Sequence, residues 1–184
     1  MTAIHAAIDP VHVRGLTRAE YDHLVAAGHF VGERLELLHG SIVRMSPQGP
    51  EHAHVVEDLT ERLTNACRPL RVRVQLPLAA GEDSEPEPDF AIVERGRRDM
   101  HPSSALLVIE VADSSLARDR AKAGIYARAG VAEYWIINLV DRAIHVHRRP
   151  RPEGYDEVRT VTSGTVTSTA VPTAIVSLDL VFGP

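Results

Sequence analysis

The residues in this sequence best suited to chemistry are Asp89, Glu110 and Lys122. Glu110 sits in Leu106-Leu-Val-Ile-Glu-Val111, a run that is otherwise apolar. A charge there must be paired, metal-bound or at the strand's end, because an isolated buried carboxylate is costly. Asp89 follows Pro86-Glu87-Pro88 and opens the apolar segment Phe90-Ala-Ile-Val93. Pro88 biases Glu87 to an extended backbone and so fixes the entry to that segment. If two neighbouring strands bring Asp89 and Glu110 together, the carboxylates repel unless a cation lies between them. Oxygen-only ligands select Mg²⁺ or Mn²⁺ over zinc. Lys122 is the only lysine among 20 Lys and Arg residues. Unlike arginine, a lysine is a point charge that its surroundings can tune. A metal that polarises a phosphate and activates water, beside a lysine that stabilises charge on phosphorus, is the equipment of phosphodiester hydrolysis.

The elements that position these residues follow from periodicity and turn residues. Thr17 with Glu20 reads as a capping box opening a helix that stops at Gly28. Two short apolar runs flank His39-Gly40, the pattern of a hairpin. A second helix is expected from about Glu51 to Cys67, with Val55, Leu59, Leu63 and Ala66 on one face. Val72 to Leu76 alternates like a strand, and Phe90 to Val93 is a short apolar one. Leu106 to Val111 is a strand buried on both faces. Ser114-Ser115 is placed to cap a helix ending near Gly130. On that helix Asp119, Lys122 and Tyr126 share one face. Glu133 to Asn138, Ala143 to Arg148 and a Thr/Val-rich tail from Val158 to Leu180 read as strands. This order predicts an α/β fold with a central mixed sheet flanked by helices. Residues 1–14 show no period and read as a loose arm.

Composition sets outer limits. The 184 residues suggest one domain spanning 1–184. A net charge of −5 and a pI near 6.0 disfavour a protein whose whole surface grips nucleic acid, but leave room for a local basic groove. Cys67 is the only cysteine, so neither an intrachain disulfide nor a cysteine-based zinc site is expected. No apolar stretch reaches the roughly 18 residues of a membrane helix. No secretory signal pattern is visible, and the expected compartment is the cytoplasm.

Taken in order, Pro88-Asp89, Ile109-Glu110-Val111, Asp119-x-x-Lys122-x-x-x-Tyr126 and Gly130-Val131-x-Glu133-Tyr134-Trp135 resemble the Uma-two family of restriction-endonuclease-like proteins. These belong to the PD-(D/E)xK nuclease superfamily. The resemblance extends upstream to Leu35-Glu36-Leu37-x-x-Gly40, Met45-Ser46-Pro47 and His52, and covers about residues 17 to 183. It implies a restriction-endonuclease-like core with an added N-terminal hairpin and C-terminal strands. It implies Asp89 and Glu110 as metal ligands, the Val111 carbonyl as a third, and Lys122 as the catalytic lysine. One departure stands out. The superfamily's E-x-K lysine would fall at position 112, which is Ala112, so the lysine must come from the following helix.

Each candidate also has a plainer explanation. Asp89 could cap a strand, Glu110 could pair with Arg118, and Asp119 reads best as a helix N-terminal charge favoured by the dipole. Glu36 is either a further acid of the site or a surface acid beside Arg34. Glu82, Asp83, Glu85 and Glu87 read as a solvated loop. His52 and His54 do not share a helical face, and His145 with His147 reads as a half-exposed sheet face rather than zinc ligands. Arg95, Arg97, Arg98, Arg118 and Arg120 are the candidates for phosphate contacts near the site, or are counter-charges for the acidic loop. The leading expectation is a Mg²⁺-dependent endonuclease acting on DNA as a homodimer. The alternative is a non-catalytic nucleic-acid-binding or assembly module with a vestigial site.

Overall fold

The strand pattern assembles into one six-stranded sheet in a computed structural model that describes residues 14–183. The arm expected over residues 1–14 lies, apart from Arg14, outside the described residues. The sheet order is β3 (Arg71–Val74), β4 (Phe90–Val93), β5 (Leu107–Ala112), β6 (Glu133–Asn138), β7 (Ala143–Arg151), β8 (Gly154–Val161). Every neighbouring pair is antiparallel except β5–β6. A parallel pair needs a long crossover, and helix α3 (Leu116–Arg128) supplies it. The sheet is therefore mixed and flanked by helices, as the sequence predicts.

Strand alternation sorts the core into two layers. Leu107, Ile109 and Val111 of β5 join Trp135 and Ile137 under Val55, Leu59 and Leu63 of helix α2 (Pro50–Ala66). Val108 and Ala112 join Tyr134 and Ile136 under Ile125 and Tyr126 of α3. Glu110 has the parity of the second layer, so it faces α3. Helix α1 (Arg18–Ala26) begins with the expected capping box: Glu20 N–H donates to Thr17 Oγ1 at 3.2 Å, and Thr17 N–H donates to the Glu20 carboxylate at 2.9 Å.

Two expectations are corrected. Ser115 occupies the N-cap position of α3 but has helical backbone angles, and its hydroxyl donates to the Asp119 carboxylate instead of accepting from the helix N-terminus. The tail is not strand throughout. After β9 (Thr165–Thr167) and β10 (Ile175–Ser177) it turns into the short helix α4 (Leu178–Phe182), which buries Leu178 and Val181.

A hairpin of β1 (Leu35–Leu38) and β2 (Ser41–Arg44) packs outside the main sheet. Its turn places both His39 (φ 49°) and Gly40 (φ 73°) in the left-handed region, the requirement of a tight two-residue hairpin turn. The turn is tied down on two sides. Gly40 N–H donates to the Asp83 carbonyl at 2.7 Å, and Leu16 N–H donates to the Gly40 carbonyl at 2.9 Å. A Cβ on Gly40 would lie 2.7 Å from the Gly15 backbone. Gly40→Ala is expected to destabilise the chain by about 2 kcal/mol or more, from left-handed strain plus that clash. Urea unfolding of the variant checks this.

Candidate active site

Asp89 lies immediately before β4, and antiparallel pairing of Phe90 with Ile109 brings it level with the end of β5. Because β4 stops there, the Asp89 side chain takes over the strand's hydrogen bonding. Val111 N–H donates to Asp89 Oδ2 at 2.8 Å, and Asp89 N–H donates to Glu110 Oε2 at 3.2 Å. Asp89 and Glu110 are thus neighbours, joined through the Asp89 N–H, and both line one cleft with Val111.

Lys122 joins them from α3. Its Nζ lies 3.1 Å from Glu110 Oε1 and 2.8 Å from Glu36 Oε2, with Asp119 Oδ1 at 4.0 Å. Lys122 is only 3% exposed, Glu36 1%, Glu110 4% and Asp119 3%. Glu36 is therefore not a surface acid beside Arg34; the hairpin inserts it beside the lysine. The pairing of Glu110 with Arg118 is also corrected: Glu110 takes Lys122 and a 2.8 Å hydrogen bond from Tyr126 Oη, while Arg118 faces Glu36 at 3.8 Å. Asp119, which reads from sequence as a helix N-terminal charge, is buried within the acid cluster. Asp119, Lys122 and Tyr126 sit on one helix face, so a single helix contributes three groups.

Three further features complete the cleft. His52, in the first turn of α2, brings Nε2 within 3.2 Å of Asp89 Oδ2. Against a carboxylate that nitrogen donates. Its Nδ1 is buried with no partner. Gln75, just past β3, donates Nε2–H to Asp89 Oδ1 at 3.1 Å and its backbone N–H to the Asp89 carbonyl at 3.1 Å. It does so with φ 51°, the left-handed region that a non-glycine residue avoids. Arg34 and Arg118 line the mouth. In the sequence, His52 stands out beside His54 and as part of the family resemblance, with no role attached, and nothing in the spacing points to Gln75. The signal for His52 is its place one helical turn before Val55, on the buried face.

The acidic loop is corrected as well. Ser84 and Glu85 are buried, and the backbones of Glu85 and Leu37 exchange hydrogen bonds, so the loop clamps the hairpin. Arg95, Arg97 and Arg98 are not near the site. Val93 pairs with Arg71 at one end of β4, whereas Phe90 pairs with Val74 at the site's end. Arg120 is exposed and does not line the cleft, so of the five arginines only Arg118 does. His147 is not half-exposed. It is buried against Tyr134 and Tyr155, and burial with His145 and Arg120 nearby pulls it down to about 4.

The electrostatics follow from burial. Burial raises the Glu110 carboxyl, Lys122 opposes it, and Asp119, Asp89 and Glu36 add to it, for a net rise to about 8. Burial pulls Lys122 down, but Glu110, Glu36 and Asp119 outweigh it and hold the ammonium above its ordinary value. Burial raises Asp89, but the hydrogen bond and charge of His52, the Val111 N–H and Gln75 hold it below the usual carboxylate range. Asp89 is thus an anion fixed in orientation, while burial among other acids favours the protonated form of Glu110 more than usual.

Does this set fit a divalent metal? Its donors are hard carboxylate oxygens, acids outnumber cations, and Glu36 Oε1 is buried without a hydrogen-bond partner. Among the described residues no three His, Cys, Asp or Glu side chains form a ready cage, and Lys122 lies between Glu36 and Glu110. Magnesium suits such a site, since it binds through one or two carboxylates and keeps waters or substrate phosphate oxygens. The residues fit.

The sequence model of the Uma2 family, described as "Putative restriction endonuclease", matches residues 19–180. Among solved structures, a crystal structure described as "a putative nuclease belonging to DUF820" from Anabaena variabilis is similar. It is 16% identical, with a TM-score of 0.72 over 91% of this chain and 97% of that one. That likeness shows the fold. No curated protein matches.

Stability should depend on pH through the raised acids. Glu110 (about 8) and Glu85 (about 7, raised by burial and by Asp22) bind protons in the folded chain that the unfolded chain has lost. Their stabilisation is complete below the unfolded value near 4.5 and is lost as pH rises through the folded values. The depressed His147 acts in the opposite sense, but only below about pH 6.5. Metal-free protein should therefore lose melting temperature from about pH 6.5 to 8. Glu110→Gln should flatten that decline, leaving the part due to Glu85 and to the other raised acids, Glu87 and Asp119. Melting curves in a chelator at stepped pH test this.

Proposed function

The chain belongs to the Uma2 family, and from that premise we propose that it is a metal-dependent endonuclease hydrolysing phosphodiester bonds of DNA. The observation that carries the reading is the Lys122 ammonium 3.1 Å from Glu110, in a cleft it shares with an anchored, ionised Asp89. Asp89, Glu110 and the Val111 carbonyl would hold Mg²⁺ or Mn²⁺. When bound, such an ion polarises the phosphate and lowers the pKa of a coordinated water.

The chain's own residues do the rest. Lys122 is held protonated, so it acts as fixed positive charge for the phosphorane rather than as a base. Glu36 positions the lysine from the opposite side to Glu110. Tyr126 orients Glu110 by donating to Oε1. Gln75, His52 and the Val111 N–H fix Asp89, as hydrogen bonds to a metal ligand's remaining lone pairs do. Arg34 and Arg118 at the mouth meet the incoming phosphate. Cutting both strands of a duplex symmetrically would take two copies of this chain, so we propose a homodimer as the working assembly.

A second reading is a non-catalytic module with a vestigial site. It is favoured by one observation: Lys122 is already paired with both Glu36 and Glu110.

Cleavage of a mixture of duplex, single-stranded and nicked DNA with Mg²⁺ or Mn²⁺ separates the two. Lys122→Ala and Asp89→Ala are each expected to cut about 100-fold or more slowly while remaining folded. Full cleavage by both variants rules out this site. Absence of cleavage by the wild type, together with no Mn²⁺ uptake at millimolar concentration by calorimetry, establishes the second reading.

A further inference from the structure

The loop arginines that the sequence suggests for the site lie away from it and form a face of their own. β3 is an edge strand, paired only with β4. Arg71 and Arg73 share one side of it, opposite Val93 and Ala91. Arg68 comes from just past the end of α2, and Arg95, Arg97 and Arg98 from the loop after β4. Two shallow clefts meet at Arg71. One holds Arg68 and Arg95, the other Arg73, Arg97 and His101. The acids nearby are few: Glu94 is exposed, and Asp99 is occupied by Arg97 at 2.6 Å. Among the described residues, none of Arg68, Arg71, Arg73, Arg95 and Arg98 forms a salt bridge.

The acidic loop is therefore not what these arginines neutralise. Placing like charges side by side on one strand face costs stability. Arg73 makes that cost plain. It is half-buried, its Nε is buried without a partner, and burial with Arg71 beside it pulls its pKa below the ordinary value. A chain of net charge −5 that gathers guanidinium groups without carboxylate partners at one edge, where Arg73 and Arg95 donate only to the Pro77 and Pro69 carbonyls and Arg73 approaches His101, has built an anion surface. Guanidinium forks match phosphate oxygens in pairs. Asp89 and the Val93–Arg71 end of β4 are four residues apart, about 13 Å along an extended chain. At about 3.4 Å per nucleotide along one strand, that is roughly four nucleotides from the bond at the cleft.

We propose that this face, centred on Arg68, Arg71 and Arg95 with Arg73 in the adjoining cleft, binds the phosphodiester backbone of the substrate nucleic acid where it runs past the cleft. The proposal rests on the nuclease reading for the identity of the polyanion, but not on cleavage.

The test is fluorescence anisotropy of the full chain with a labelled duplex of about 20 base pairs in a chelator, so that nothing is cut, over a series of salt concentrations. The triple variant Arg68→Ala/Arg71→Ala/Arg95→Ala should bind at least about tenfold more weakly than the wild type. Its plot of log affinity against log salt should be shallower by about 2.7, since each phosphate left without its arginine removes about 0.9 from the slope. The Lys version of the same triple should keep the wild-type slope, which excludes unfolding as the cause. A control triple on the opposite sheet edge, Arg149→Ala/Arg151→Ala/Arg159→Ala, should leave the slope unchanged. Equal losses in both Ala triples would mean bulk charge only and overturn the proposal. An unchanged slope in the first triple would also overturn it, and would give the face to a partner other than nucleic acid. A wild type that binds no duplex at low salt would fail the DNA reading and this proposal together. A wild type that binds but does not cut fails only the catalytic reading.

Discussion

The structure depends on how one ammonium group is surrounded. Lys122 is enclosed by Glu36, Glu110 and Asp119, with Asp89 adjoining through Glu110. Each acid is buried, and a buried carboxylate is tolerated only where charge and hydrogen bonds compensate it. One lysine, with Arg118 standing 3.8 Å from Glu36, does not match four acids one for one, so the cluster has an excess of acids, part of which burial relieves by raising Glu110 and Asp119. A site optimised for stability alone would be apolar or evenly paired. The excess is the physical reason to expect a second cation in the cleft, and it rests on burial and distances rather than on any resemblance.

The cost of that arrangement explains much of the surrounding architecture. The charged residues come from separate elements: Glu36 from the hairpin, Asp89 from the start of β4, Glu110 from β5, Asp119 and Lys122 from α3. Long-range bonds hold these elements together. The hairpin is clamped by the Glu85 backbone and by the Gly40 turn. Asp89 is gripped by groups from α2, from the end of β3 and from β5. Tyr134 Oη donates to the Asp119 carbonyl at 2.8 Å and so ties α3 to β6. Gln75 keeps its grip on Asp89 with a left-handed backbone, the kind of local strain that persists only where surroundings impose it. Rigidity of this degree is what a preorganised charge site needs.

Much of this is legible in the sequence, and the limits have physical causes. The β5 run, the α3 face and the hairpin turn are readable because burial imposes periodicity and positive φ imposes glycine. Asp89, Glu110 and Lys122 are readable because a lone acid in an apolar run and a lone lysine in an arginine-rich chain are anomalies. Asp119 misleads because a helix N-terminus suits an acid whether or not it is buried. Glu36 stays undecided because a residue of a four-residue strand can face either way. Gln75 and His52 are invisible as partners of Asp89 because the hydrogen bonds that define them span 14 and 37 residues of sequence. The loop arginines mislead although chain order already separates them from the site: Asp89 precedes β4 and Arg95, Arg97 and Arg98 follow it, so they lie at opposite ends of that strand.

The place of Lys122 on a helix is best understood from position 112, where the motif that the sequence resembles would carry a lysine. Position 112 has the same parity as Glu110, so a lysine there would also face α3. Ala112 is completely buried and packs in the layer formed by Ile125 and Tyr126. A long side chain at 112 would have to push that layer apart. With alanine there, α3 approaches β5 closely enough for Lys122 to reach Glu110 from above. The move has a consequence that a strand lysine would not have. On a helix, residues three before and four after share the face, so Asp119 and Tyr126 arrive with Lys122, one adding charge to the cluster and the other orienting Glu110. Ala112, Asp119, Lys122 and Tyr126 therefore form one structural solution. A lysine returned to position 112 would not reproduce the site unless the helix face changed with it.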